Sequence, residues 1–316
     1  MSSEKVNGKY IWGDITESEI VRQYDRKGRE VACVQVDDMF RTLHNVQVGQ
    51  VPDLRATLKL LKDMPMRTDD IFICAYVKAG THWMWEIVNM LLRGSAEYDK
   101  TVKEENMIDF HFPKEFENLE SPRVFNSHFT WRHLPTEIRD KKCKIIFLQR
   151  NPKDTAVSYF HHMKNLKIYG IEDDCGDFID LFMKGRGPGY KSWFDYTLEW
   201  QEFIEDTSHR VPILSLMYED LKQNPVAQVQ KVAEFLKIQS DTQLVRSIAE
   251  KCDFKNMRKA VLNKNEAHPS VSDYQLLYRK GQIGDWKNWF TVAQSEEFDE
   301  LVRQKMGTCT SKFVYE

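Results

Sequence analysis

IFICAYVKAGTHWMWEIVNMLLRG, residues 71–94, passes from strand to turn to helix in one short stretch. Ile71–Tyr76 is an unbroken apolar run behind Asp70, which predicts a strand buried on both faces. Residues 77–80, VKAG, form a tight turn, and residues 81–94 place their apolar side chains at helical spacing. Thr81 is the candidate cap of that helix and Gly94 its stop.

The same order recurs along the chain. KIIFLQR (144–150) predicts a second buried strand, followed by a helix with Asn151 at its cap and Pro152 at its first position. VPILSLMY (211–218) predicts a third, followed by an amphipathic helix with Val229, Val232, Ala233 and Leu236 on one face. RVFNSHF (123–129) predicts a fourth, shorter strand. Strands alternating with helices imply an α/β fold, a mostly parallel central sheet flanked by helices. Helices are also expected at 54–63 and near 295–306, while 253–285 reads as a long polar loop and 1–50 shows no clear pattern. No Gly-, Ser- or Pro-rich linker divides the chain, so 1–316 reads as one domain with its core from about residue 70.

Composition narrows the function. Of 316 residues, 41% are hydrophobic and 29% charged, as in a soluble globular protein, and the net charge of −3 provides no whole-chain field for nucleic acid or an anionic membrane. No apolar run reaches transmembrane length, and the opening MSSEKVNGKY lacks the apolar stretch of a secretory leader. The six cysteines are scattered without metal-site spacing, which points to free thiols in the reducing cytoplasm and to no metal.

Candidate chemistry lies where strands end. A helix start preceded by Lys78 and Gly80 is an anion site: backbone N–H groups and the helix dipole face whatever lies above the sheet. The spacing is not that of a Walker A loop, and an ordinary turn with a solvated lysine is the alternative. Arg150 stands at the end of a second buried strand, with Ser158 two turns into the next helix. Arginine there suits a phosphate, and an ion pair with Asp154 is its alternative. Arg279-Lys280-Gly281 is a third basic element, otherwise a solvated patch. His128, at the end of the 123–129 strand, is the candidate general base, otherwise a structural histidine; His82, His161 and His162 are weaker candidates.

Taken together, these residues resemble the cytosolic sulfotransferases, which use 3′-phosphoadenosine 5′-phosphosulfate (PAPS) and release 3′-phosphoadenosine 5′-phosphate (PAP). Residues 76–83, YVKAGTHW, are similar to their phosphosulfate loop, 150–158, RNPKDTAVS, to their 3′-phosphate segment, and 279–287, RKGQIGDWK, to a third motif. The resemblance implies a P-loop-like strand-loop-helix in which Lys78, Ala79, Gly80, Thr81 and His82 hold the phosphosulfate. It implies that Trp83, Tyr218 and Phe254 flank adenine, and that Arg150, Ser158, Arg279, Lys280 and Gly281 bind the 3′-phosphate. His128 would be the base, with Lys78 on the leaving oxygen. Lys287, Thr291, Val292 and Glu296 resemble a homodimer motif. Two departures stand out. Ala79 replaces a frequent serine, and Asn126 stands where many members carry lysine two residues before the histidine.

The implied activity is sulfuryl transfer to a hydroxyl or amine of a small acceptor such as a phenol, alcohol or steroid. A non-catalytic PAPS-binding protein is the alternative; a kinase with ATP is disfavoured by the spacing. Phe110, Phe112, Phe129, Trp131, Tyr169 and Tyr278 are candidate acceptor-pocket aromatics, with core packing the alternative for each.

Overall fold

The computed structural model describes residues 5–6, 9–10, 13–24, 28, 30–37, 39–43, 52–165, 174–185, 189–267 and 278–316. Within the patternless N-terminal stretch, β1 (Ile20–Tyr24), β2 (Glu30–Val36) and β3 (Met39–Thr42) form an antiparallel sheet of their own. Helix α1 (Leu54–Lys62) follows, capped by the Asp53 carboxylate.

The central sheet has four strands, β4 (Ile71–Ala75), β5 (Val124–Ser127), β6 (Lys144–Gln149) and β7 (Ile213–Met217), all parallel and ordered β5-β4-β6-β7. Alternate side chains of β4 point to opposite faces, as the two-residue strand period requires. Ile71, Ile73 and Ala75 pack with α2 (Thr81–Arg93), α7 (Pro225–Leu236) and α8 (Thr242–Lys251), which follow α6 (Tyr218–Gln223). Phe72, Cys74 and Tyr76 face the other layer, with α3 (Pro152–Asn165), α4 (Cys175–Met183) and α5 (Trp193–Glu205). Trp200 of α5 stacks on Phe147 of β6 at 4.7 Å between ring centroids.

At the amino-terminal edge of the sheet, Arg123 grips Asp70 with two parallel bonds, Nε to Oδ1 at 2.8 Å and Nη2 to Oδ2 at 2.6 Å. Both residues are buried, so the pair is well protected from screening. It fixes the register that sets Ile73 opposite Asn126 and Cys74 opposite Ser127.

Three local expectations are corrected. Thr81 is the first helical residue, and Gly80 is the cap, with φ +108 and no side chain to offer. Tyr218 opens α6 instead of ending a strand. Much of the first part of the expected polar loop at 253–285 is helix α9 (Phe254–Ala267), which precedes the last helix, α10 (Val292–Lys305). Its interior runs through Lys, Met, Arg, Ala and Leu, residues that favour helix even where apolar spacing is weak. Gly94 does end α2, at φ +64.

Candidate active site

Chain order runs from β4 to one neighbour, β5, and then across to the other, β6. This is a topological switch point, where the loops leaving the carboxyl ends of adjacent strands part and open a crevice. Lys78 follows β4, His128 follows β5 and Arg150 follows β6, so the three reactive candidates share one edge.

The β4 loop is a close turn, with the Ala79 N–H donating to the Tyr76 carbonyl at 3.2 Å. Lys78 holds φ +71 and Gly80 φ +108. A Cβ at position 80 would sit 3.0 Å from the Tyr218 ring, so glycine serves both the dihedral and the approach. The N–H groups of Trp83 and Met84 donate to the Gly80 carbonyl at 3.0 and 3.1 Å, which starts α2 at Thr81. Burial, then the adjoining charges of Lys103 and Arg150, push Lys78 down to about 7.

His128 is buried, and its Nδ1 lies 2.7 Å from the Ala75 carbonyl. A carbonyl only accepts, so Nδ1 carries the hydrogen and Nε2 keeps its lone pair. Burial, then the charge of Lys103, push the imidazole down to about 3, so it is neutral at neutral pH. Its backbone N–H donates to Asp109 Oδ2 at 2.9 Å. Asp109 also accepts from the Ser127 hydroxyl at 2.6 Å and the Tyr190 hydroxyl at 2.9 Å.

Arg150 donates from Nη1 to the Lys78 carbonyl at 3.1 Å, and its guanidinium lies 4.2 Å from the Tyr218 ring centroid. Its Nε is buried without a hydrogen-bond partner among the described residues. The alternative ion pair with Asp154 gives way to another arrangement. Asp154 accepts the N–H groups of Gly284 at 2.8 Å and Trp286 at 2.9 Å, and so docks the 279–287 segment onto α3. Asn151 caps α3, its Oδ1 accepting the Asp154 N–H at 2.8 Å. The Asn151 N–H and Nδ2 both donate to Glu219 Oε1, at 2.9 and 3.0 Å. Glu219, next to Tyr218, thus fixes the loop that carries Arg150.

In the docked segment, Arg279 and Lys280 both pair with Asp285, Lys280 at 2.7 Å. Burial alone would raise the Asp285 carboxyl, but bonds from Lys280, Asn288 and Arg279 outweigh it and hold the group at about 2. Gly281 has φ +62, and a Cβ there would meet the Phe254 ring at 2.2 Å. Tyr278 lies between Phe254 and His82, with ring centroids at 6.2 and 6.1 Å. Trp83 meets Tyr218 edge to face at 5.6 Å. The structure therefore joins the 78–83 loop, Arg150 and Tyr218 to Phe254, Tyr278 and Gly281, while Ser158 stands half-buried on α3.

Several residues here carry no sequence pattern. Lys103 and Glu104 open a 3₁₀ turn at Lys103–Asn106. The buried Lys103 donates from Nζ to Asn126 Oδ1 at 3.2 Å. Glu104 Oε1 lies 3.3 Å from that Nζ and 2.9 Å from His82 Nε2. His162, half-buried on α3, is pushed well below the usual histidine range by burial and then by Lys78, which sets it near the same centre. Of the candidate pocket aromatics, Phe112 and Phe129 are buried, Phe129 in the main core, and Trp131 stacks on Phe203 at 4.7 Å. Phe110 lies under the Arg41 guanidinium at 5.3 Å, and Tyr169 falls outside the described residues.

The arrangement suits a ligand with several anionic groups. Burial and then the neighbouring cations lower the titration of Lys78, and a buried guanidinium N–H of Arg150 has no acceptor among the described residues. These observations fit a nucleotide bearing a phosphosulfate and a separate phosphate.

Comparison with known proteins agrees. The sulfotransferase domain family model matches residues 68–310. Sulfotransferase 1A1 of the dog, Canis lupus familiaris, is 33% identical over 270 residues, 81% of this chain and 90% of that protein. Sulfotransferase 6B1 of Danio rerio is 34% identical over 255 residues, 79% of this chain and 83% of that protein. The crystal structure of mouse sulfotransferase SULT7A1 complexed with PAP superposes with a TM-score of 0.69 at 31% identity, covering 87% of this chain and 95% of that one. Retinol dehydratase in complex with androsterone and inactive cofactor PAP shares the fold, with a TM-score of 0.69 at 18% identity over 93% and 92% of the two chains.

Proposed function

The chain belongs to the sulfotransferase family and is a PAPS-dependent sulfotransferase, and from that premise we propose that His128 is its general base and that its acceptor is a small phenol, alcohol, steroid or amine. The observation that carries the reading is the 2.7 Å bond from His128 Nδ1 to the Ala75 carbonyl, which leaves the Nε2 lone pair for the acceptor proton.

PAPS supplies an activated sulfuryl group: the bond from sulfur to acceptor oxygen or nitrogen forms as the bond to the phosphate oxygen breaks, and that oxygen leaves with the electron pair on PAP. The protein's part is to hold and polarise. Lys78 and the N–H groups of Thr81 and His82, with Ala79 and Gly80 shaping the turn, face the phosphosulfate. Lys78 steadies negative charge on the leaving oxygen. Trp83, Tyr218 and Phe254 flank the adenine. Arg150, Ser158, Arg279, Lys280 and Gly281 take the 3′-phosphate, with the Arg150 Nε–H supplying a donor that has no partner among the described residues. The acceptor proton moves to His128 Nε2, which is neutral and free to receive it.

His128→Ala tests the assignment. Turnover, read as PAP release with the best acceptor from a panel, is expected to fall by about 10²–10⁴-fold while PAP affinity stays within twofold. Near-normal turnover would remove His128 as the base.

We further propose a cytoplasmic enzyme that pairs through Lys287, Thr291, Val292 and Glu296. Val292 supports this, being 76% exposed at the first turn of α10. No helix among the described residues is long and apolar enough to cross a membrane.

A further inference from the structure

Asn126 is fully buried on β5, two residues before His128, and its carboxamide is committed at both ends to one residue. Its Nδ2 donates to the Lys103 carbonyl at 2.6 Å, and its Oδ1 accepts from Lys103 Nζ at 3.2 Å. The backbone of the same stretch adds a parallel bridge between Met107 and Asn126. Lys103 is therefore tied to the strand that ends at His128, and its ammonium is held at Asn126. The remaining contacts of Nζ are the Met107 sulfur at 3.8 Å and the Glu104 carboxylate at 3.3 Å. The amide side is buried and fixed, whereas Glu104 is partly exposed and shared with His82, the residue at the start of the anion-binding helix.

We propose that Lys103 is a second catalytic cation, whose ammonium contacts an oxygen of the transferring sulfuryl group after that group replaces Glu104 as its anionic partner. This rests on the reading of His128 and Lys78 as the transfer centre. The electrostatics agree: Lys103 is the largest charge lowering the titration of both Lys78 and His128. The contacts place it at that centre too: Asn126 precedes His128 by two residues, and Glu104, the other partner of the ammonium, reaches His82 at the start of α2. Asn126, neutral itself, then acts as the positioning residue that carries the charge, and the charge comes from a turn 23 positions earlier in the chain. Lysine is suited to this place because its three N–H bonds rotate about a point charge. One can stay on Asn126 while another follows the sulfuryl oxygen.

The test separates charge from packing. Lys103→Met keeps the length of the side chain and removes the ammonium. It is expected to lower kcat about 10²-fold, the usual effect of losing one preorganised donor at developing charge. Calorimetry without acceptor is expected to show PAPS binding weakened at least fivefold and PAP, which has no sulfuryl group, bound within twofold of the parent. Adding Asn126→Lys in the same chain returns a charge to the same place and should recover at least tenfold of the lost kcat. Equal losses of PAPS and PAP affinity, kcat within threefold of the parent, or no recovery in the double variant would each overturn the proposal. Should Lys103→Met fail to fold, Glu104→Gln decides: removing the competing carboxylate should tighten PAPS at least threefold relative to PAP, and an unchanged ratio overturns the proposal. A parent protein that releases no PAP with any acceptor would instead count against the transfer centre itself.

Discussion

Asp109 holds His128 by its backbone and not by its ring, Oδ2 accepting the His128 N–H at 2.9 Å. The ring is oriented by a different group, the Ala75 carbonyl on β4. Position and tautomer of the base are thus set by separate elements. Asp109 is fully buried, and burial raises its carboxyl pKa against the pull of its donors Ser127 and His128.

Asp109→Asn should expose that division of labour. A carboxamide has one accepting oxygen for three donors, so at least one buried donor loses its partner, at a cost of about 1–3 kcal/mol. Urea unfolding should show that loss. The expected kinetic effect is a fall in kcat of about tenfold or more with acceptor KM little changed. A fully stable variant with parental kcat would show that the Asp109 contacts are dispensable.

Donor binding should take up protons. Lys78 titrates at about 7 in the free protein because burial and neighbouring cations favour its neutral form. An arriving anion favours the ammonium and raises that value. Affinity for PAPS is then greatest below pH 7 and falls as pH rises through 7, until the bound-state value is reached. Calorimetry at pH 8 in buffers of different ionisation enthalpy should report net uptake approaching one proton, and Lys78→Met should abolish it. Zero uptake in the parent protein would contradict the assignment.

Gly281→Ala should act on the donor alone. The new methyl would meet Phe254 at 2.2 Å, in a backbone conformation that disfavours a side chain by roughly 1–2 kcal/mol. The segment that carries Arg279 and Lys280 must shift. PAP affinity is expected to fall at least tenfold, while discrimination among acceptors persists. Unchanged PAP affinity would separate this segment from the nucleotide.

The proposed pairing surface is testable through Val292. Thr291 already uses its hydroxyl to cap α10, accepting the Gln294 N–H at 3.2 Å, and Lys287 bonds Glu316 at 2.6 Å. Val292 is left as the exposed apolar contact. A motif this short buries a small area, so a readily dissociating dimer is expected. Sedimentation should show a concentration-dependent dimer that Val292→Glu converts to monomer. A parent protein that stays monomeric at micromolar concentration would remove the surface.

The central sheet and the strand-end loops were readable because buried parallel strands are short apolar runs bounded by turns, as at Ile71–Ala75 and Lys144–Gln149. Arg150 and Lys78 followed from that grammar, since position at a strand end is visible in one dimension. Lys103 and Asp109 were not visible. They lie in 3₁₀ turns with no period, and their importance comes from contacts across 23 and 19 residues. The three-stranded N-terminal sheet was also unreadable, because the apolar run in EVACVQV is short and its neighbours, IVRQY and MFRT, are brief and mixed, without the alternation that marks a strand facing a core. Helix α9 has no apolar stripe to mark it, because Phe254–Ala267 depends more on local propensity.

The bidentate clasp between Asp70 and Arg123 lies at the opposite end of the sheet from the reactive groups, about 16 Å away at the usual rise of a five-residue strand. Because side chains alternate along a strand, a slip of one position between β4 and β5 would turn the residues leading to His128 toward the wrong layer. The clasp therefore works as an alignment pin for the catalytic edge. Damage to it would be mistaken for an active-site lesion: a protein that remains folded, touches its ligands with every original side chain, and fails because two strands no longer deliver their ends to the same place.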